Sequence, residues 1–365
     1  MSHLSPDIFV LIELTGLIGL YGADRGTVSV DIVAGRSAGD IGGTVVPPAR
    51  RRRWRIPRTL AWAAVTPFAA WAVARVAGLE RDSLTTQLMT GTPYVAAASL
   101  VPVLLSALTR NRAATVVALI TTAALGLSVL PRAFRSGDPV TGTPLRVLTL
   151  NTLFGHAEPD AVMDLVRRLN PDVLSTQELT PGMVEKLEAA GLEKIMPYQV
   201  LEPEWSAGGS GLYARYPLTP RKDLFEAIGH NMPAALMTVP GAKPVEIVDV
   251  HPFPPLGRQV YDWTAALDAL PSAAPDTIRI LAGDFNASLD HAAMRRFLSR
   301  GYLDAADSAG EGLTPTWPVN KRVPPLITID HVVADQRVGV NAVSVHTVPG
   351  TDHRAVFADL RLPPP

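Results

Sequence analysis

Six short segments of this chain end in side chains that can do chemistry. Asn151 closes an alternating apolar run, Arg146–Asn151, and Glu178 closes another within Ser175-Thr-Gln-Glu178. His251 ends Val248-Asp-Val-His251-Pro252, and Asp284 and Asn286 lie in Gly283-Asp-Phe-Asn-Ala287. Asp330 lies in Ile327-Thr-Ile-Asp-His-Val332, and Asp352-His353 in Gly350-Thr-Asp-His-Arg354. Each has an ordinary use taken singly. An Asn or Asp at a strand end forms a turn by bonding its own backbone, and Gly283-Asp-Phe-Asn can enter a helix through a side-chain cap. Together they ask for more. Glu178, Asp284, Asp330 and Asp352 gathered in one domain repel one another unless a cation sits among them.

Spacing sharpens the set. Asp284 and Asn286 are two apart, so on extended backbone they face the same side. Asp330 and His331 are neighbours, so only one can face a site; alternation favours Asp330 and leaves His331 a bystander. Asp249 shares a face with His251 and reads either as the orienter of that imidazole or as a solvated aspartate. The elements that must position these groups are short. Strands are predicted at 146–151, 172–177, 211–215, 234–239, 245–251, 277–282, 326–333, 340–346 and 355–360, and helices at 160–169, 180–190, 256–270 and 289–300. About nine strands and four helices in roughly 230 residues predict an α/β sandwich.

Composition divides the 365 residues in two. Residues 1–132 hold 13 Lys or Arg against 7 Asp or Glu, and residues 133–365 hold 20 against 27, so a basic front of +6 precedes an acidic back of −7. Mean hydropathy is positive, +0.18, and three apolar runs carry it, at about 59–79, 88–109 and 113–131. A bilayer core of ~30 Å needs about 20 helical residues, so residues 50–132 are expected to form an anchor of three transmembrane helices in contact with lipid. Arg50–Arg53, Arg55 and Arg58 precede the first run, and Arg110 and Arg112 fill the second turn, whereas Glu80-Arg81-Asp82 is not basic. The positive-inside rule then puts the arginine ends in the cytoplasm and residues 133–365 outside it, in a multi-pass plasma-membrane protein. Residues 1–49 lack periodicity and read as disordered, or as a mis-assigned start with the true one near Val45 or Val46. Cysteine is absent, which excludes a thiol nucleophile, a disulfide and a cysteine-ligated metal.

The ordered set Asn151, Glu178, His251, Asp284-x-Asn286, Asp330 and Asp352-His353 resembles the endonuclease/exonuclease/phosphatase superfamily over about residues 144–361. Ser210-Gly-Leu-Tyr-Ala-Arg215-Tyr-Pro217 and Thr316-Trp317-Pro318 add to the likeness. The resemblance implies a four-layer αββα sandwich, α/β (α+β) in class, with its site at one end of the paired sheets and, in membrane-anchored bacterial members, helices ahead of it. It implies that Glu178 is the direct ligand of Mg²⁺, with Mn²⁺ an alternative, and that Asn151 and Asp352 complete its surroundings. It further implies that Asp284 orients or deprotonates the attacking water and that Asn286 donates to phosphate. Asp330 would fix the tautomer of His353, which donates to phosphate, while His251 donates from the other side.

Two departures narrow the substrate. After Asn151 runs Thr-Leu-Phe-Gly-His156, without the acid that abasic-site endonucleases place there, and His251 stands where that branch uses tyrosine. The expected activity is hydrolysis of a phosphodiester in a nucleic acid, phospholipid or inositol phosphate. The alternatives are a phosphomonoesterase or an inactive binding module held at the membrane. A transporter is disfavoured because the apolar runs hold no acid pair, and no obligate protein partner is evident.

Overall fold

The computed structural model describes residues 58–135, 141–319 and 322–364; the predicted disorder of residues 1–49 and the arginines at 50–55 lie outside them. The described chain begins with helices α1 (Arg58–Ala77), α2 (Ser83–Met89), α3 (Thr92–Ala98), α4 (Leu100–Leu108) and α5 (Arg112–Val129). Small residues let α1 and α5 approach closely: Ala61, Val65, Ala114 and Ala118 form their shared core, a use of short side chains common where apolar helices meet. The outward faces carry Leu60, Trp62, Val73, Leu104, Leu108, Leu119, Ile120 and Leu127, all exposed. Arg58–Ala77 and Arg112–Ala133 are long and apolar enough to cross a membrane by length and composition.

The middle predicted helix, 88–109, is divided. α2 stops at Met89, and Thr92–Leu108 sets off at 60° to it. Pro93 explains the break. It sits at the start of α3, where its missing N–H costs nothing, and it disfavours helical geometry in the residue before it. Asp82 caps α2 by accepting from the Thr85 amide at 2.9 Å.

From Thr143 the chain builds two six-stranded sheets. One has the order β11-β12-β1-β2-β4-β3 and the other β5-β6-β7-β8-β10-β9. The strands of the first are β1 (Thr143–Asn151), β2 (Val173–Gln177), β3 (Tyr198–Glu202), β4 (Ser210–Ala214), β11 (Gly339–Thr347) and β12 (Arg354–Leu362). Those of the second are β5 (Leu218–Pro220), β6 (Ala234–Met237), β7 (Val245–Val250), β8 (Ile278–Asp284), β9 (Tyr302–Asp304) and β10 (Asp330–Asp335). Each sheet is centred on one parallel pair, β1 with β2 and β7 with β8. A helix spans each crossover, α6 (Pro159–Leu169) and α9 (Gln259–Ala269), as parallel pairing requires.

Alternation assigns the faces. Leu145, Val147, Val173, Ile247, Ile280 and Val332 meet between the sheets. Leu148, Leu150 and Leu174 turn the other way onto α6, α7 (Pro181–Ala189) and the short α8 (Leu192–Ile195). Val248, Val250 and Leu281 likewise pack on α9 and on α10 (Ala292–Leu298). The result is the predicted four-layer αββα sandwich. Continuing each period of two to the strand end brings Asn151, Gln177, His251, Asp284 and Asp330 into the inter-sheet layer at one edge.

Candidate active site

Register fixes the site before any side chain is considered. Asp330 of β10 lies directly opposite Asp284 of β8, and Asn151 of β1 lies beside Gln177 of β2, one residue before Glu178. Gly283 permits the approach of β7 to β8, since a Cβ there would lie 2.0 Å from the Val250 carbonyl oxygen. Glu178 and Asn286 adopt left-handed backbone, φ 53° and 47°, a conformation costly for non-glycine residues and concentrated at functional sites.

The side chains interlock across the two sheets. Asn151 Nδ2 donates to Glu178 Oε1 and to Asp284 Oδ2, both at 3.1 Å, and its Oδ1 accepts from the Leu153 amide. Glu178 Oε2 accepts from the Phe154 amide at 2.9 Å. Asp284 Oδ1 accepts from the Asn286 amide at 2.8 Å, and Asn286 Nδ2 donates to the Pro252 carbonyl. His353 Nδ1 lies 3.0 Å from both oxygens of Asp330, which leaves Nε2 3.8 Å from Asp284 Oδ2. His251 Nε2 stands 3.9 Å from that same oxygen. Asp284 Oδ2 is therefore the point on which an amide and two imidazoles converge.

Charge follows from this packing. Burial lowers the pKa of His353, but Asp330, Asp284 and Asp352 outweigh it and push the imidazole up to about 10, so it is a cation at neutral pH. Burial raises Asp284 to about 7, with the His353 charge pulling the other way. Burial, then the neighbouring His230 and His353, hold His251 well below the usual histidine range, hence neutral. Burial also raises Glu178, and the charge of Asp352 adds to it.

Two predicted neighbours do other work. Asp249 does not orient His251: its carboxylate accepts from Gln177 Nε2 at 2.8 Å and from the Gly211 amide at 3.1 Å. The same alternation that puts it on the face of His251 points it across the sandwich at the facing sheet. His331 faces away from the site, bonded through Nδ1 to Asp304 Oδ2 and through Nε2 to the Ala287 carbonyl, each at 2.8 Å. His331→Ala is expected to leave turnover per folded molecule nearly unchanged. It should cost about 3–5 kcal/mol of stability by stranding a buried carboxylate. Thermal melts run beside kinetics check both halves, and a large fall in kcat with an unmoved Tm would reverse the assignment.

Sequence reasoning passed over His230 and gave Thr316 and Trp317 no role beyond the family likeness. His230 packs against His251, the rings tilted by 43° with centroids 4.4 Å apart, its pKa lowered by burial; it sits in a loop, where no periodicity marks it. Thr316 Oγ1 accepts from the amides of Ile329 and Asp330, and Trp317 Nε1 donates to Asp352 Oδ2 at 3.3 Å. The Thr316-Trp317-Pro318 segment thus braces both acids that flank His353.

Two groups could hold a cation. Asp284, Asp330 and His353 offer ligand atoms within 4.8 Å of one another, but a protonated imidazole has no lone pair to give, and Asp330 is already spent on it. Glu178 and Asp352 are the better fit. Both are oxygen donors, Asn151 braces Glu178, and a divalent ion would offset the burial and the Asp352 charge that raise Glu178. Hard oxygen donors of this kind suit Mg²⁺.

A family model described as the endonuclease/exonuclease/phosphatase family matches residues 148–353. No curated protein matches the chain. Among solved structures, an endonuclease/exonuclease/phosphatase from Beutenbergia cavernae is 21% identical, over 60% of this chain and 72% of its own, at a TM-score of 0.47. TDP2 of D. rerio, humanized by 14 mutations, is 17% identical over 60% and 99%, at 0.47. The 3′ phosphatase NExo from Neisseria, bound to a product DNA hairpin, is 17% identical over 59% and 98%, at 0.45.

Proposed function

Because the chain belongs to the endonuclease/exonuclease/phosphatase family, we propose that it is a membrane-anchored, Mg²⁺-dependent phosphodiesterase whose catalytic domain faces away from the cytoplasm. One observation carries the chemistry: the buried carboxylate of Asp284 lies 3.8 Å from Nε2 of His353, whose Nδ1 Asp330 holds at 3.0 Å, and burial raises that carboxylate to about 7. A base whose pKa lies near the working pH is suited to proton transfer. Asp284 takes a proton from the attacking water as the water oxygen bonds to phosphorus; the bond from phosphorus to the leaving oxygen breaks, and that oxygen departs with the electron pair and is protonated from solvent. His353 presents Nε2–H to a non-bridging phosphate oxygen, because Asp330 occupies Nδ1. His251, neutral, stands on the other side of Asp284. Asn286 spends one amide hydrogen on Pro252 and keeps a second for phosphate. Glu178 and Asp352 would hold Mg²⁺, with Asn151 fixing Glu178. When bound, the ion neutralises charge developing on the phosphate and the leaving oxygen.

The membrane reading draws on how the helices meet the domain. Arg75, Ser83, Thr86, Tyr94 and Arg132 all contact it, whereas Arg110 and Arg112 lie at the far ends of α4 and α5. A helix the length of α5 separates the two ends by about 27 Å at 1.5 Å per residue, close to a hydrocarbon core. This supports three crossings made by α1, α3–α4 and α5, with α2 outside. A reporter fused after Pro365 should then score as extracytoplasmic. A cytoplasmic signal would mean that the bundle is inverted, with Arg110 and Arg112 outside, because the ends at Arg75, Tyr94 and Arg132 all lie against the one domain.

The substrate is a phosphodiester close to the bilayer. A net charge of −7 over residues 133–365 does not favour tracking a nucleic-acid backbone, which calls for a basic groove. The test is the full chain in lipid nanodiscs with Mg²⁺, offered DNA, RNA, phospholipids and inositol phosphates. Turnover of one diester class is expected. Release of phosphate from monoesters alone would favour the phosphatase alternative, and no turnover with Mg²⁺ bound would favour the binding module.

A further inference from the structure

The loop that carries Asp284 and Asn286 continues to Ser288, Asp290 and His291, and both of the last two are held by the helical segment. Asp290 is 1% exposed in its side chain. Arg132 grips it with two bonds, Nη1 to Oδ2 at 2.8 Å and Nη2 to Oδ1 at 2.7 Å. Arg75, in the last turn of α1, donates Nε to Oδ1 at 3.0 Å. His291 Nδ1 accepts from the Ser288 amide at 2.9 Å. Its proton is therefore on Nε2, which donates to the Thr86 carbonyl of α2 at 2.8 Å. Glu80 accepts from the next amide, that of Ala292.

Two more site loops are tied in the same way. Ser83 Oγ donates to the Pro255 carbonyl and accepts from the Gly257 amide, each at 2.9 Å. These residues follow His251 and Pro252, the acceptor of Asn286. Tyr94 OH donates to the Leu326 carbonyl at 2.6 Å, four residues ahead of Asp330. The tied loops are those of one sheet, carrying His251, Asp284, Asn286 and Asp330. Among the described residues, Asn151 and Glu178, on the facing sheet, have no bond from the helical segment: Leu153, Phe154 and each other hold them, and Asn151 reaches across to Asp284.

We propose that Asp290 is a positioning residue through which Arg75 and Arg132 set the Asp284–Asn286 loop. The apolar helices then form part of the catalytic apparatus and are not only a tether. The proposal builds on the phosphodiesterase reading, but exchange of backbone hydrogens tests it without activity. A buried carboxylate bound by two guanidiniums is costly to break from one side, and a displacement near 1 Å of a reacting group costs roughly 10²-fold in rate.

Full-length Asp290→Asn in nanodiscs is the test. The expected result is a kcat lowered about 10²-fold with KM and Mg²⁺ affinity, by calorimetry, unchanged. Hydrogen exchange should accelerate in residues 285–291 and stay as in the parent in residues 152–154. Arg167→Ala, which removes an exposed pair with Asp164, should change neither readout. If Asp290→Asn does not fold, Arg132→Lys carries the test, because lysine keeps the charge and loses the two-pronged grip; a smaller loss of kcat with the same local exchange is expected. Unaltered exchange over 285–291, in whichever variant folds, overturns the proposal. Accelerated exchange with no turnover by the parent protein would instead retain the clamp and remove the phosphodiesterase reading.

Discussion

His353→Ala is expected to lower kcat by about 10²–10⁴-fold, the usual loss for a positioned acid or donor, while His331→Ala, next to Asp330 on β10, does almost nothing to the rate. Both histidines are buried and both bond an aspartate, so burial and pairing alone do not separate them. Direction does. His353 turns Nδ1 to Asp330 and leaves Nε2 beside Asp284, whereas His331 spends both ring nitrogens away from the site, on Asp304 and Ala287. Asp330→Asn should fall nearly as far as His353→Ala, since an amide stabilises an imidazolium poorly. The double variant should be little worse than either single one, because the pair acts as a unit. Turnover of Asp330→Asn, His353→Ala and their combination in nanodiscs, with melts to check folding, measures this. Additive losses would mean that the two residues serve separate steps.

That the candidate residues share one edge of the sandwich was legible because a strand writes its geometry into sequence with a period of two. Counting by twos from Leu145 to Asn151, from Val245 to His251 and from Ile278 to Asp284 stays on one face throughout, and that face is the inter-sheet core. Asp330 and His331 were separable on the same ground. What failed was anything set by a partner distant in sequence. Asp249 lies on the correct face of β7, yet its partners, Gln177 and Gly211, belong to the other sheet. His230 enters from a loop. Strands β3, β5 and β9 were missed because β5 and β9 are three residues long and β3 is partly exposed, too little alternation to read. The helical segment shows the same limit. Its apolar length was plain, but the break at Thr90–Gly91 turned on Pro93, and the grip of Arg75 and Arg132 on Asp290 spans 215 and 158 positions.

Chelation is the second large effect, and pH supplies its internal control. EDTA should abolish turnover by the full chain, and Mg²⁺ or Mn²⁺ should restore it, since the donors are carboxylate oxygens; zinc should restore little. Glu178→Gln should resist restoration. Losing several kcal/mol of charge stabilisation corresponds to roughly 10³-fold at 1.36 kcal/mol per decade. Burial raises Glu178 toward its protonated form, so protons compete with the cation and Mg²⁺ affinity should weaken as pH falls. Asp284 acts when deprotonated, so kcat should climb as pH rises through about 7. His353 acts when protonated, so kcat should fall again toward about 10. The lower limb should move to lower pH as Mg²⁺ is raised, because positive charge beside Asp284 favours its ionised form. The upper limb should vanish in Asp330→Asn or move down, since the carboxylate that holds the imidazolium is gone. Profiles recorded at two Mg²⁺ concentrations decide it. A lower limb fixed in position while Mg²⁺ changes would place the cation away from Asp284 and Glu178, and full activity in excess chelator would remove it from the reaction.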